Sequence, residues 1–259
     1  MTILLPRRRI LGGLALGGLT TVAGGSMLVG CDRISNSPIT QAILGLGDSA
    51  AYEVQRRAVV RGDLAPEYRP DQMSRVFRTN GNTMPAAESY KALAAAQFRD
   101  WRLEVRGLVA QPLSLSLAQL RAMPARTQIT RHDCVEGWSA IGQWTGVPLR
   151  LLLEQARLQA SARYIVLRCA DDFDGTPYYE SLDIAGALHP QTILAWGMNG
   201  QDLSIGHGAP LRLRVERQLG YKQAKYVMAV EAVASLAGIG GGKGGYWEDN
   251  AGYQWFGGI

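Results

Sequence analysis

Cys134 lies in Arg131-His132-Asp133-Cys134-Val135-Glu136-Gly137-Trp138-Ser139, a thiol between an Arg-His pair and a polar turn that carries a tryptophan. Nearby cations favour a thiolate. A thiolate serves two chemistries, attack on a substrate or ligation of a soft metal centre. A second block runs Gly206-His207-Gly208-Ala209-Pro210-Leu211-Arg212 and continues in Gly220-Tyr221-Lys222-Gln223-Ala224-Lys225. His207, Arg212, Lys222 and Lys225 fall within about 20 residues, interleaved with glycines. That pattern reads as an anion site, phosphate above all, where backbone N–H groups approach the ligand closely. Asn80, in the polar loop Phe77–Pro85, is a third candidate. Cys169, within an apolar run, reads as core, and Arg214 as part of a solvated strand face.

The elements that position these residues are short. Residues 32–48 read as a tether and 49–60 as a helix, with a further helix over 86–97. Trp101–Val105 alternates apolar and polar residues, as a strand does. Ser116 is placed as the N-cap of a helix over 117–123. Thr127–His132 alternates again and delivers Cys134 from a strand end into a loop, with residues 132 and 134 on the same side. Gly146-Val147-Pro148 opens a helix bearing Leu149, Leu152 and Leu153. Tyr164–Cys169 reads as a buried strand, Asp171–Gly175 as a loop, Leu182–Leu188 as a short helix, and Asn199-Gly200 as a hairpin turn. Pro210–Glu216 and Tyr226–Val233 are strands, with Arg212 and Lys225 on strands able to pair. Short strands mixed with a few helices, in no βαβ order, indicate an α+β domain.

The N-terminus is read apart from this domain. Arg7-Arg8-Arg9 precedes an uncharged apolar run from Ile10 to Gly30, the basic and apolar regions of an export signal of the twin-arginine kind. The run closes in Leu28-Val29-Gly30-Cys31, a lipobox that marks Cys31 for lipidation; a membrane-spanning anchor is the other reading. The formal charge of +5 includes those three arginines, so the chain beyond Cys31 carries about +2 and gives little reason to expect nucleic acid. Cys134 and Cys169 remain beyond the lipobox; a disulfide between them is open, and no zinc-ligand spacing is present. Four segments are expected: a signal over 1–30, a tether and extension over 31–75, a catalytic domain over 76–237, and a Gly/aromatic tail over 238–259. The tail contributes to the mouth of a site, to a docking face, or packs on the domain.

His132–Ser139, with Trp144-Thr145-Gly146-Val147-Pro148-Leu149 after it, resembles the molybdenum-binding segment of sulfite-oxidase-fold oxidoreductases, most closely the bacterial periplasmic protein-methionine-sulfoxide reductase branch. His207–Arg212 with Gly220–Lys225 resembles the pterin-phosphate segment of the same family. The likeness spans roughly residues 77–236. It implies a sulfite-oxidase-type molybdopterin-binding fold and an exported enzyme that transfers oxygen atoms to or from small or protein-bound S- or N-oxides. Cys134 would be the protein ligand of molybdenum and the catalytic thiolate. Asn80, Thr83, Met84, Cys169, His207, Arg212, Gln223, Ala224 and Lys225 would hold the molybdenum-molybdopterin cofactor, and His132, Glu136 and Trp138 would orient the loop. Cys169 stands where the reductase branch has threonine. His207 stands where that branch has asparagine and sulfite oxidases have histidine. Sulfite oxidases carry an arginine shortly after the cysteine; Val135, Glu136 and Gly137 stand there instead, which makes a sulfite dehydrogenase the second reading. The implied setting is a lipid-anchored monomer on the periplasmic side of the inner membrane, exchanging electrons with a haem-containing membrane protein or c-type cytochrome.

Two other classes account for Cys134 differently. A cofactor-free enzyme would use Cys134 as nucleophile with His132 or His207 as base. A non-catalytic lipoprotein would bind a membrane partner. The first leaves the cation cluster without a role.

Overall fold

The structure, a computed structural model, describes residues 37–259, without the side chains of residues 40–45, 48 and 49. The signal over 1–30 and Cys31 lie outside the described residues. Residues 49–259 form one compact unit, and the described residues 37–48 fall outside it. Among the described residues, no helix is long and apolar enough to cross a membrane.

Helix α1 spans Pro38–Arg61, so the segment expected as a tether is helical from Pro38 onward. Proline fits the first turn, and Gly45 and Gly47 within the helix are tolerated at roughly 1 kcal/mol each. Gly62, at φ +75°, ends it in the left-handed conformation that closes many helices. Helix α2 (Glu88–Ala95) is shorter than the 86–97 expected.

Two sheets follow. The first contains β1 (Arg102–Gly107), β2 (Leu113–Ser116), β5 (Tyr164–Phe173), β6 (Thr176–Asp183) and β10 (Val227–Val233), in the order β2-β1-β10-β5-β6. Only β1 and β10 run parallel. The second contains β3 (Arg126–Cys134), β4 (Trp138–Pro148), β7 (Ile193–Met198) and β8 (Gln201–Asp202) in that order, with β9 (Arg212–Arg214) also paired to β7. Short helices α3 (Leu117–Ala122), α4 (Leu149–Gln155), α5 (Ile184–Ala187) and α6 (Tyr246–Ala251) complete the α+β arrangement.

The local signals act as expected at several points. Leu103 and Val105 of β1 are buried while Arg102, Glu104 and Arg106 are exposed, the period of two that fixes a strand's inner face. They join Leu149, Leu152 and Leu153 of α4, Ile165 and Leu167 of β5, and Leu211 and Leu213 in the main core. The Ser116 hydroxyl accepts from the Gln119 amide, and the Gln119 side chain returns to the Ser116 amide, a capping box at the start of α3. Asn199 and Gly200, at φ +51° and +76°, form the β7–β8 turn. Both central residues of a type I′ turn need positive φ.

Four expectations are corrected. Strand β5 continues through Asp171–Phe173, and the reversal is confined to Asp174-Gly175, both at positive φ. Pro148 is the N-cap of α4, not a residue of its first turn. Lys225 lies in the turn before β10 and not on a strand paired with β9. Arg214 is wholly buried, because β9 is covered on both faces.

Candidate functional site

Strand β3 ends on Cys134, which faces Trp138 as the last pair of the β3–β4 ladder. Residues 135–137 form the loop, closed by the Gly137 amide donating to the Cys134 carbonyl at 3.1 Å. Gly137 sits at φ +86°, which a side chain would oppose. The Trp138 indole N–H donates to Glu136 Oε2 at 3.0 Å, fixing the far side of the loop. Cys134 is buried and lines an open cleft with a cavity volume of about 150 Å³. Both Cys134 and Cys169 are free thiols, so no disulfide links them.

The flanking cations do not activate Cys134 as their types suggest. Arg131 turns outward and pairs with Asp133 at 2.9 Å. His132 points inward, and its Nδ1 receives the Arg214 Nη1–H at 3.1 Å. Burial, with Arg212 and Arg214 close by, holds the His132 imidazole well below the usual histidine range, so it is neutral. The Gly220 Cα approaches so closely that a Cβ there would lie 2.6 Å from the His132 ring. His132 is thus a packed orienting group. Burial also pushes the Cys134 thiol up, while the Arg212 guanidinium pulls it down. A metal binding here must displace the thiol proton.

The cations sort into two sets. Arg214 forms a closed ion pair with Glu216, at 2.6 Å. Lys222 is buried between Glu180 and Glu248, the latter at 2.7 Å, and so belongs to the framework and not to an anion site. Arg212 and Lys225 have no such partners: among the described residues neither forms an ion pair. Arg212 is 1% exposed, yet its Nε and Nη2 have no hydrogen-bond acceptor, and its Nη1 reaches only the His207 carbonyl at 3.3 Å. Its guanidinium stacks 5.2 Å from the Trp144 ring. Lys225 Nζ donates to the carbonyls of Asn80, at 2.6 Å, Asn82 and Gly206, at 3.1 Å, joining the Asn80 loop to the His207 turn. Burial, then the neighbouring Arg214, lowers Arg212 to about 9; burial, then Arg212, lowers Lys225 to about 7. Two buried cations that raise each other's energy, one with unfilled donors, form a preorganised receptor for an anion.

Of the residues singled out from sequence, Asn80, Cys134, Gln223 and Lys225 line the cleft. Arg212 is buried in β9 and Ala224 beside it, where the Leu213 amide donates to the Ala224 carbonyl at 2.8 Å. His207 engages both ring nitrogens, Nδ1 with Ser204 Oγ at 2.8 Å and Nε2 with the Phe77 carbonyl at 3.2 Å. Cys169 packs against the main core, and Thr83 and Met84 are exposed. His207, Cys169, Thr83 and Met84, like Arg212 and Ala224, do not line the cleft. His207 has both ring nitrogens engaged, while His132 Nε2 is buried without a partner, so the cofactor-free nucleophile reading keeps only His132 as a base.

The cleft is also lined by Gly81, Asn82, Asp171, Phe173, Tyr178 and Tyr221, none of them proposed as site residues from sequence, and by Trp247 and Tyr253 of the tail, for which the mouth of a site was one of the expected uses. Asn82 was findable as the second half of Asn80-Gly81-Asn82. Asp171 carried no signal, since its role depends on β5 running past Cys169. Its Oδ1 is buried without a partner, and burial pushes the carboxyl up to about 6, opposed by the Lys225 ammonium. The folded chain therefore keeps a proton that the unfolded chain releases, and stability falls as pH rises from about 4 to about 6. Asp171→Asn should stabilise the cofactor-free protein by about 1–3 kcal/mol at neutral pH and much less near pH 4. Urea denaturation at the two pH values measures this; an equal gain at both contradicts it.

The oxidoreductase molybdopterin binding domain family matches residues 90–236. A protein named as a protein-methionine-sulfoxide reductase subunit, YedZ1 of Azospira oryzae, is 40% identical over 92% of this chain and 84% of its own length. The protein-methionine-sulfoxide reductase catalytic subunit MsrP of Xanthomonas campestris is 36% identical over 56% of this chain and 49% of its own length. The MsrP of Campylobacter jejuni is 32% identical over 56% of this chain and 54% of its own length. The chain thus spans about half the length of these MsrP relatives. In fold it is similar to the crystal structure of the sulfane dehydrogenase SoxCD from Paracoccus pantotrophus, with a TM-score of 0.50 and 20% identity over 68% of this chain and 46% of the other.

Proposed function

The chain belongs to the oxidoreductase molybdopterin-binding family and is a molybdopterin-dependent oxidoreductase, and from that premise we propose that it reduces sulfoxides with electrons supplied by a membrane partner. The residues present fit the cofactor. Arg212 and Lys225 supply a buried cationic pair suited to a pterin phosphate, and the unfilled Arg212 donors are free to bind its oxygens. Asn80 Oδ1, buried without a donor, and Gln223 line the same cleft for the pterin's polar edge. Cys134 supplies a soft sulfur donor in that cleft, suited to molybdenum. When bound, the cofactor carries the two-electron redox chemistry, and the chain positions it and tunes its surroundings.

The choice of sulfoxide over sulfite rests on one observation: the two residues after Cys134 that line the cleft are Val135 and Glu136. An anionic substrate meets a carboxylate there and no arginine, whereas a neutral sulfoxide is indifferent to that charge. The overall change balances with two electrons and two protons: the S–O bond breaks, sulfur keeps the electron pair, and oxygen leaves as water. The similarity to proteins named as sulfoxide reductase subunits supports the same reading. The electron donor is proposed to be a haem protein of the membrane or a c-type cytochrome. The setting is proposed to be the outer face of the inner membrane, reached through the arginine-led signal and held by lipid on Cys31. Mass spectrometry of the mature protein tests this; a free N-terminus upstream of Cys31 overturns it.

Purified protein should oxidise reduced benzyl viologen on addition of methionine sulfoxide or dimethyl sulfoxide, and should not reduce ferricyanide on addition of sulfite. The reverse pattern makes the chain a sulfite dehydrogenase. Arg212→Gln should lower pterin retention about 10–100-fold, the loss of one or two charge-assisted hydrogen bonds. Pterin fluorescence after dialysis measures it, and full retention contradicts the phosphate role.

A further inference from the structure

The C-terminal segment beyond the family match enters the cleft. Its Trp247 and Tyr253 line the same space as Cys134 and Glu136. Their rings stack, with centroids 6.0 Å apart and planes at 26°. Phe173 lies 5.2 Å from Trp247, and Tyr221 lies 5.0 Å edge-on from Tyr253, so cleft-lining rings of the domain continue the surface. The segment is held firmly. Glu248 accepts from buried Lys222 at 2.7 Å, and Asp249 accepts from the Tyr179 hydroxyl at 2.5 Å and from the amides of Gly241 and Lys243 at 2.8 and 2.9 Å. Gly245 bridges Glu180 of β6, where a Cβ on Gly245 would lie 2.1 Å from Glu248. Anchoring of this kind places two aromatic faces beside the cleft at little cost in ordering when a ligand binds.

We propose that Trp247 and Tyr253, with Phe173 and Tyr221, form a subsite for a flat apolar substituent on the substrate sulfur, an aryl group above all. The assignment of sulfur to the substrate rests on the sulfoxide reading above. Aromatic faces prefer another ring in stacked or edge-on contact, and they gain more from it than from a methyl group. Lys225, which lines the cleft beside Asn80, and the buried Arg212 of β9 sit where the phosphate is assigned. The tail contributes no charge to the lining, because Glu248 and Asp249 are both turned into the framework.

The test uses the molybdenum-loaded protein and two redox-inert sulfones, methyl phenyl sulfone and dimethyl sulfone, titrated by calorimetry. Wild type should bind the aryl sulfone at least ~10-fold more tightly, a ratio equal to ~1.4 kcal/mol. Trp247→Ala and Tyr253→Ala should each reduce that ratio to ~3-fold or less, while Trp247→Phe keeps most of it. A wild-type ratio near one, or a ratio unchanged in both alanine variants, overturns the proposal. So does loss of pterin fluorescence from the alanine variants, which would assign the wall to the cofactor. If wild type shows the aryl preference yet turns over no sulfoxide, the proposed function fails and the subsite stands.

Discussion

Cys134→Ser should abolish turnover while leaving the domain folded. Serine is smaller and neutral, and it fits the end of β3 without disturbing the Gly137 turn. Pterin binding should persist, because Arg212, Lys225 and Asn80 lie on other elements and do not depend on the thiol. The substitution removes the soft donor and leaves a hard, weakly acidic hydroxyl in a buried place. Activity should fall by more than ~100-fold, the upper range for losing a residue that merely supports a ligand. Viologen-linked assays with methionine sulfoxide, beside far-UV circular dichroism and pterin fluorescence, separate these effects. A variant retaining a tenth or more of the activity contradicts the role given to Cys134.

Lys222→Met should strongly destabilise the fold. Lys222 is wholly buried and bonded to two carboxylates, Glu180 and Glu248, that are themselves wholly buried. Burial pushes the Glu180 carboxyl up, and the Lys222 ammonium pulls it back down. Removing the ammonium leaves two acids facing one another away from water. The expected cost is about 3–5 kcal/mol, the usual loss when one partner of a buried ion pair is deleted. The effect extends to function, because Glu248 ties α6 to the Gly220–Lys222 turn and α6 carries Trp247. Adding Glu180→Gln and Glu248→Gln to Lys222→Met should recover part of the loss, since the uncompensated charges are then gone. Chemical denaturation measures both variants; a loss under ~1 kcal/mol for Lys222→Met would mean that the cluster is open to water.

Much of the fold was legible in local chemistry. Asn199-Gly200 permits a turn that few pairs permit, Ser116 with Gln119 caps α3, and the alternation of Leu103 and Val105 fixes the inner face of β1. The same holds for Cys134, whose strand-end position follows from the alternation before it and Gly137 after it. What escaped was the environment of charged residues. Arg214 and Lys222 look from sequence like surface or anion-binding groups, and only their long-range pairing with Glu216, Glu180 and Glu248 shows otherwise. Arg212 carries the same type of charge and lacks such a partner, and no local pattern distinguishes it from Arg214 two residues on. Asp171 falls in the stretch that reads as a loop, Asp171–Gly175, yet β5 carries it inward. The aromatic wall was partly visible, as a tail rich in Tyr and Trp whose three possible uses the sequence left open. Its seat in the cleft depends on Glu248 and Asp249 finding Lys222 and Tyr179, contacts across 26 and 70 residues.

The Cys134 sulfur is proposed to complete the coordination of molybdenum in this cleft. X-ray absorption at the molybdenum edge counts the sulfur neighbours directly, in the wild type and in Cys134→Ser loaded with metal. The number of sulfur neighbours should fall by one in the variant, with the pterin still bound. An unchanged sulfur count would contradict the assignment and place the ligand elsewhere.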